Sequence, residues 1–270
     1  MEPTRHTRRS LLTLLGVGAV GTVIAACGSS GTGSGAAPSS TVGSTPPTSG
    51  AGATDSTVSG GGSPTPSETS GPFPADGSNG NGEGQTADVL GDERALRSDI
   101  RSDLDGSNTQ AGEELTLRVR LVDAAGNARA GHAVYVWHCN REGEYSGYNS
   151  RMSGGDFTDR SFLRGAQIAD TDGRVQFTTI LPGRYMGRAF HIHFAVYSDG
   201  TYSNRLLTSQ MALDDEVIDE LYTAAGYDTA LRNSTSNARD NVFSDGVQHQ
   251  LLAISGGAGA GLTADFTAVV

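Results

Sequence analysis

From Gly28 to Pro66, only Val42, Asp55 and Val58 fall outside the set Gly, Ser, Thr, Pro and Ala. A stretch of that composition cannot bury enough apolar area to offset the entropy of ordering it. It therefore divides the chain. The sequence predicts a signal segment over residues 1–26, a disordered linker over 27–66, and one folded domain over 67–270. The division also accounts for the composition: 38 glycines and a 36% hydrophobic fraction look marginal for one globule, but glycine is concentrated in the linker. The remainder is long enough for a domain burying about 70% of its unfolded surface.

Ahead of the linker, Thr7-Arg8-Arg9-Ser10-Leu11-Leu12 leads into an apolar run broken by glycines that ends at Ala26 and Cys27. As a helix the run rises roughly 24 Å, short of the ~30 Å hydrocarbon core, so it reads as a signal and not as a permanent span. The paired arginines resemble a twin-arginine export signal. Ile24-Ala25-Ala26-Cys27 resembles a bacterial lipobox, which would make Cys27 the lipidated new N-terminus. A cell-surface lipoprotein is expected, on the extracytoplasmic side of a membrane. The linker, as a flexible coil, spans about 35 Å root-mean-square, enough to hold the domain clear of a lipid surface.

The formal charge is −11, from 30 acidic residues and 19 basic residues that are all arginine. Loss of residues 1–26 takes it to about −13. Nucleic acid is a poor partner for such a chain. Two cysteines, Cys27 and Cys139, exclude a disulfide lattice and a four-thiolate zinc site.

Leu115, Leu117, Val119 and Leu121 alternate with polar residues, the period of a half-buried strand. Further strand-like runs at His132–Cys139, Arg174–Ile180 and Phe190–Tyr197, separated by turn residues, have the cadence of an antiparallel β-sandwich. The fold class is mostly β with a few short helices. Helices are predicted from Asp92 to about Ile100 and from Asp214 to about Ala225, the second placing Val217, Ile218, Leu221 and Tyr222 on one face and stopping at Gly226. Asp240, Asp245 and the stretch Gly256–Gly261 read as loop.

Two of the six histidines stand as His191-Ile192-His193 in a run of strand character. Alternation puts both imidazoles on one face, with α-carbons about 7 Å apart, so they can converge on one ion. Pro182-Gly183-Arg184-Tyr185 turns the chain six residues before His191, and the loop after Trp137 carries Tyr145. Phenol is a poor ligand at its ordinary pKa near 10, but a hard, highly charged cation displaces its proton. Zinc commonly takes carboxylate or cysteine beside histidine, and no acidic residue lies between Tyr185 and His193. Two phenols with two imidazoles point to Fe(III). His138, which alternates with Val134 and Val136, reads as a satisfied core histidine, and Cys139 as a buried thiol.

These residues carry a resemblance. Gly143-x-Tyr145, Phe162-Leu163-Arg164-Gly165 and Pro182-Gly183-x-Tyr185-x-x-Arg188-x-x-His191-x-His193 are similar to the intradiol ring-cleavage dioxygenases. The likeness runs from Glu68-Thr69-Ser70-Gly71-Pro72-Phe73 through Leu207-Thr208-Ser209-Gln210 to the C-terminal part. It implies a ferric centre held by Tyr145, Tyr185, His191 and His193, with Tyr185 and His193 axial. A catechol-type substrate would displace Tyr185, react with O2 and open between its two hydroxyls to a cis,cis-muconate-type diacid. The resemblance further implies that Arg188 stabilises negative charge on the ring, that Gln210 stands behind the centre, and that Pro72 and Phe73 lie at the substrate mouth. A homodimer is one of the assemblies open to it. The other class considered is a non-catalytic, prealbumin-like β-sandwich that binds cell wall or carbohydrate, which needs no convergent tyrosines and histidines.

Overall fold

A computed structural model describes residues 62–270. The expected signal, the lipidation site at Cys27 and most of the linker lie outside the described residues. Among the described residues no helix is long and apolar enough to cross a membrane. Backbone pairing begins at Thr65, whose N–H donates to the Val269 carbonyl at 3.1 Å.

The strands in chain order are β1 (Asp76–Gly80), β2 (Thr86–Asp88), β3 (Glu114–Val122), β4 (Ala133–Trp137), β5 (Asn149–Ser150), β6 (Gly155–Asp156), β7 (Arg164–Ile168) and β8 (Arg174–Ile180). They continue with β9 (Ile192–Tyr197), β10 (Arg205–Met211), β11 (Ala253–Gly257) and β12 (Gly261–Val269), and the helices α1 (Asp215–Ala225) and α2 (Asp228–Arg232) lie between β10 and β11. Two four-stranded sheets form, ordered β10-β9-β4-β7 and β11-β12-β3-β8, while β1-β2 and β5-β6 are small two-stranded pairs.

Alternation explains how the sheets meet. Leu115, Leu117, Val119 and Leu121 of β3 join Val175 and Phe177 of β8 and Leu262, Ala264, Phe266 and Ala268 of β12 in one buried cluster. The same cluster takes Val134 and Val136 from β4 and Ile192, Phe194 and Val196 from β9. The intervening residues Ala133, Tyr135, Trp137, Ala195 and Tyr197 face a second cluster built with Phe73, Ala75, Tyr145 and Tyr148. Strands β4 and β9 are thus buried on both faces, as near-continuous apolar runs require. The functional residues lie on the second face, under the N-terminal segment.

Three expectations change. The β12–β3 pair is parallel, with Leu262 opposite Leu115 and Val269 opposite Val122, so the fold is not purely antiparallel. Between β3 and β12 the chain passes through all four strands of the other sheet and both helices, the kind of long connection that a parallel pair needs. The predicted helix at 92–100 is only a 3-10 turn over Glu93–Ala95, capped by Asp92. Beyond it the backbone prefers sheet edges: the Arg97 N–H donates to Ala166 O at 3.0 Å and the Thr178 N–H to Ser98 O at 2.8 Å. Gly256–Gly261 is not plain loop but the end of a hairpin, and β12 behind it shows the period-two pattern that reveals it. The second helix forms as read, with Asp214 accepting from the Glu216 and Val217 N–H groups and Gly226 in the left-handed region at φ 69°. Its buried residues are Ile218 and Tyr222, while Val217 faces outward.

His138 follows β4 and bridges toward the second sheet. Its Nδ1 lies 2.8 Å from the Cys139 carbonyl and its Nε2 2.7 Å from Thr179 Oγ1 in β8. Burial lowers its pKa to about 4 from an ordinary 6.5. Between those values the unfolded chain binds a proton that the folded chain refuses, so stability is full above pH 6.5 and falls as pH drops toward 4. The loss is of order 3 kcal/mol at ~1.4 kcal/mol per pK unit. Thermal melts from pH 7 to 4 should fall steeply, and His138→Gln should flatten part of that slope; an unchanged slope in the variant would show that His138 does not contribute.

Candidate active site

The second face of the β10-β9-β4-β7 sheet is organised by one transverse row. Gln210 pairs with His193, His193 with Trp137, and Trp137 with Arg164. Paired residues share a face, so four chemically distinct side chains stand in line on the floor of the site. Trp137 stacks on the His193 ring, centroids 4.9 Å apart and planes 3° from parallel.

His191 stands one residue before β9 and meets His193 edge-on, centroids 4.9 Å apart. Its Nδ1 lies 2.8 Å from the Ala189 carbonyl, which makes Nδ1 the proton carrier and leaves the lone pair on Nε2. That Nε2 is 3.1 Å from the Tyr145 hydroxyl. Tyr185 completes the group: its ring centroid is 5.5 Å from that of His191 and 5.7 Å from that of Tyr145. One guanidinium nitrogen, Arg188 Nη1, sits 3.2 Å from the Tyr185 hydroxyl and 3.5 Å from His191 Nε2. The two phenols and two imidazoles named from the sequence therefore come together around one point.

Both tyrosines are carried on loops, and the loops are locked to each other. Gly143 has φ 89°, and a Cβ there would lie 2.9 Å from the Arg184 carbonyl. A Cβ on Gly183 would in turn lie 2.3 Å from the Arg141 carbonyl. Glycine at each position lets the two backbones touch, which sets the distance between the phenols.

Burial governs the electrostatics. It drives both imidazoles well below their ordinary pKa, with Arg188 adding to the shift of His191 and His191 to that of His193. Both rings are neutral at pH 7. His193 Nδ1 is buried without a hydrogen-bond partner among the described residues. Burial also pushes the phenols up, Tyr145 well above its usual value, and Arg188 opposes the rise at Tyr185. Tyr185 is the half-buried member of the four, next to Met186 at 85% exposure.

Arg188 is held from two sides. Its Nε donates to Asp240 Oδ2 at 2.8 Å and its Nη2 to Gln210 Oε1 at 2.6 Å. Desolvation works against the guanidinium charge, but Tyr185 and Asp240 outweigh it and hold the Arg188 pKa above the ordinary value. Asp240 is the functional residue that the sequence reading missed. It is fully buried and also accepts from the Ala189 N–H at 2.6 Å and the Val242 N–H at 2.8 Å. It lies far down the chain in a polar loop, and nothing local sets it apart from Asp245. The only available signal was that a buried arginine needs an acid.

Gln210 also donates to the Thr69 carbonyl at 2.8 Å, tying the N-terminal segment to the site. Pro72 is exposed at the surface of that segment. Phe73 is 5% exposed and packs on Tyr145, centroids 5.1 Å apart. The ring, which carries no hydroxyl, also packs on Tyr148, centroids 5.0 Å apart, so it stands directly beside the tyrosine group. Cys139 is buried and has no disulfide partner among the described residues, its thiol pushed up to about 12 by burial. Among the described residues no three His, Cys, Asp or Glu side chains gather as a metal cluster.

Asp240→Asn removes the charge from a buried pair while keeping its shape. It should cost about 3 kcal/mol in urea unfolding; a loss under ~1 kcal/mol would show that the pair does not hold the Arg188 loop.

A family model described as "Dioxygenase" matches residues 92–251. Among curated proteins, the chain is 32% identical over 109 residues to catechol 1,2-dioxygenase 1 of Acinetobacter lwoffii, covering 34% of this chain and 33% of that one. It is 29% identical over 142 residues to the protocatechuate 3,4-dioxygenase beta chain of Burkholderia cepacia, covering 49% and 56%. The matches span from a third to just over half the length of these relatives. Among solved structures, an intradiol ring-cleavage dioxygenase from Tetranychus urticae superposes with TM-score 0.59 at 23% identity, over 77% of this chain and 94% of that one, a likeness of fold. With a family model spanning more than half of its length and both tyrosine loops, the chain belongs to the intradiol ring-cleavage dioxygenase family.

Proposed function

We propose that the chain is a non-haem Fe(III)-dependent dioxygenase that opens a catechol-type ring between its two hydroxyls with O2, giving a cis,cis-muconate-type diacid. The observation that carries this reading is the meeting of Tyr145, Tyr185, His191 and His193 at one point, with His191 presenting Nε2 and both imidazoles neutral. The donor set fits a hard trivalent ion: two phenols able to ionise against it, two neutral nitrogens, and no thiolate. Those four side chains would hold the ion. When bound, Fe(III) supplies the Lewis acidity that acidifies the phenols and a bound diol.

The chain's own residues do the rest. Tyr185, half-buried at the edge of the group with its oxygen beside Arg188 Nη1, would be held as a phenolate by the ion, and that oxygen is the one placed to take a proton from a diol substrate. Arg188, fixed by Asp240 and Gln210, keeps a positive charge beside that oxygen and stabilises negative charge developing on the ring. Tyr145 is fully buried under Phe73 and stays in place. The four-residue convergence gives no support to a non-catalytic sandwich module. The two facing sheets are read as a β-sandwich, with residues 67–270 as the catalytic domain.

We also propose that residues 1–26 direct twin-arginine export, that Cys27 is lipidated, and that residues 27–66 tether the domain outside the membrane. Export of a folded chain suits an enzyme that acquires its iron before translocation. Aromatic diols and O2 are then the proposed partners, with the membrane reached through the lipid alone.

Purified protein reconstituted with ferric iron should bind one ion per chain and show a broad visible tyrosinate-to-iron band. Oxygen uptake with a panel of catechol, protocatechuate, hydroxyquinol and chlorinated catechols should identify the substrate; a colourless protein and no uptake would overturn the reading. Tyr185→Phe should lower turnover at least ~100-fold, the lower end of the ordinary range for one proton-handling group, while the melting temperature holds. Cys27→Ser should move the protein from the membrane fraction to the soluble fraction; unchanged partitioning would exclude lipidation there.

A further inference from the structure

Arg164 is a fully buried guanidinium, and no carboxylate pairs with it among the described residues. A buried charge left without an acid is expensive, so its hydrogen bonds have to satisfy it. They are all made to neutral oxygens in two segments. Nε donates to Ser146 Oγ at 2.9 Å and Nη2 to the Ser146 carbonyl at 2.7 Å. Nη1 donates to the Phe73 carbonyl at 2.8 Å and to the Pro74 carbonyl at 3.1 Å.

Those segments hold the two rings that must meet. Ser146 follows Tyr145 directly, and Phe73 packs on both Tyr145 and Tyr148. The Tyr145 loop lies outside any strand, so nothing in a sheet ladder fixes its side chain. A planar fork that grips both the carbonyl and the hydroxyl of the next residue does, and it does so from β7, the strand at the far end of the row containing His193. The guanidinium carbon also lies 6.0 Å from the centroid of the Tyr145 ring and 5.7 Å from that of Tyr148.

We infer that Arg164 is a positioning residue that sets Tyr145 against the His191–His193 pair by clamping the 73–74 segment to the Tyr145 loop. The inference rests on the proposed ferric centre for its spectroscopic consequence only; the clamp itself is testable without metal. Hydrogen exchange on metal-free full-length protein separates the two. In Arg164→Met, amides near Ala75 and in the Tyr145–Asn149 stretch, which are bonded to Tyr148 Oη and to the Ser153, Phe157 and Asn81 carbonyls, should exchange at least tenfold faster together. Amides of the Tyr185 loop should keep their rates.

Arg97→Met is the matched control, since Arg97 likewise binds only neutral oxygens, the carbonyls of Arg164, Asp103 and Ser161. It should lower the melting temperature without accelerating the Tyr145 stretch. Should Arg164→Met not fold, Ser146→Ala removes one acceptor of the fork and should show the same pattern in weaker form. With ferric iron added, Arg164→Met should lose more than half of the visible band, and Arg164→Lys, which keeps the charge without the fork, should not restore it. Equal acceleration across the whole domain in Arg164→Met, or a band fully restored by lysine, would overturn the positioning role. A clamp seen by exchange in a wild-type protein that shows no band would instead overturn the ferric reading and leave the clamp standing.

Discussion

The site depends on one row of cross-strand pairs, Gln210–His193–Trp137–Arg164, on the face of the sheet opposite the main core. Each member extends the row in a different direction. Gln210 reaches Arg188 and the Thr69 carbonyl, His193 presents its ring to the centre, Trp137 backs that ring by stacking, and Arg164 reaches the Tyr145 loop. A one-residue slip between any two strands would turn a member toward the apolar core. Register is secured by the core face of the same strands, where Val134, Val136, Ile192, Phe194 and Val196 are packed.

The charges of the site are arranged to suit this burial. Neutral imidazoles need no counterion, and desolvation keeps them neutral. Arg188 does need one and finds it in Asp240, which is buried and bonded to two backbone N–H groups besides. Arg164 pairs with no acid among the described residues and is satisfied by carbonyls and a hydroxyl. The two arginines thus hold opposite sides of the tyrosine pair by different means, one through a charge pair and the other through a neutral fork.

Much of the site was legible because its residues cluster in short motifs. Tyr185, Arg188, His191 and His193 lie within nine residues, and strand alternation alone brings the histidines together. Tyr145 was legible through its glycine at 143, whose backbone does meet the Tyr185 loop. Asp240 was not, since an aspartate in a polar loop looks the same in sequence whether it faces water or a buried guanidinium. The packing of Phe73 on Tyr145 and Tyr148 was not legible either, because the sequence shows its chemistry but not the direction in which it turns. The 92–100 segment illustrates the same limit: its acidic start is a helix signal, yet exposed strand edges at Ala166 and Thr178 offer its backbone better partners.

The sequence by itself determined the β character of the folded part and the chemical types of the four side chains, two phenols and two imidazoles, that pack together. These follow from composition, period and residue type, which are local properties. Only the tertiary structure decided which face of the sheet carries the site, that β12 runs parallel to β3, and that Asp240 and Arg164 serve the two loops. Those depend on contacts between residues distant in sequence, such as Arg188–Asp240, Arg164–Phe73 and Leu262–Leu115, which lie 52, 91 and 147 positions apart. No local pattern encodes such pairings; they are chosen by which buried polar groups can find partners once the sheets have closed.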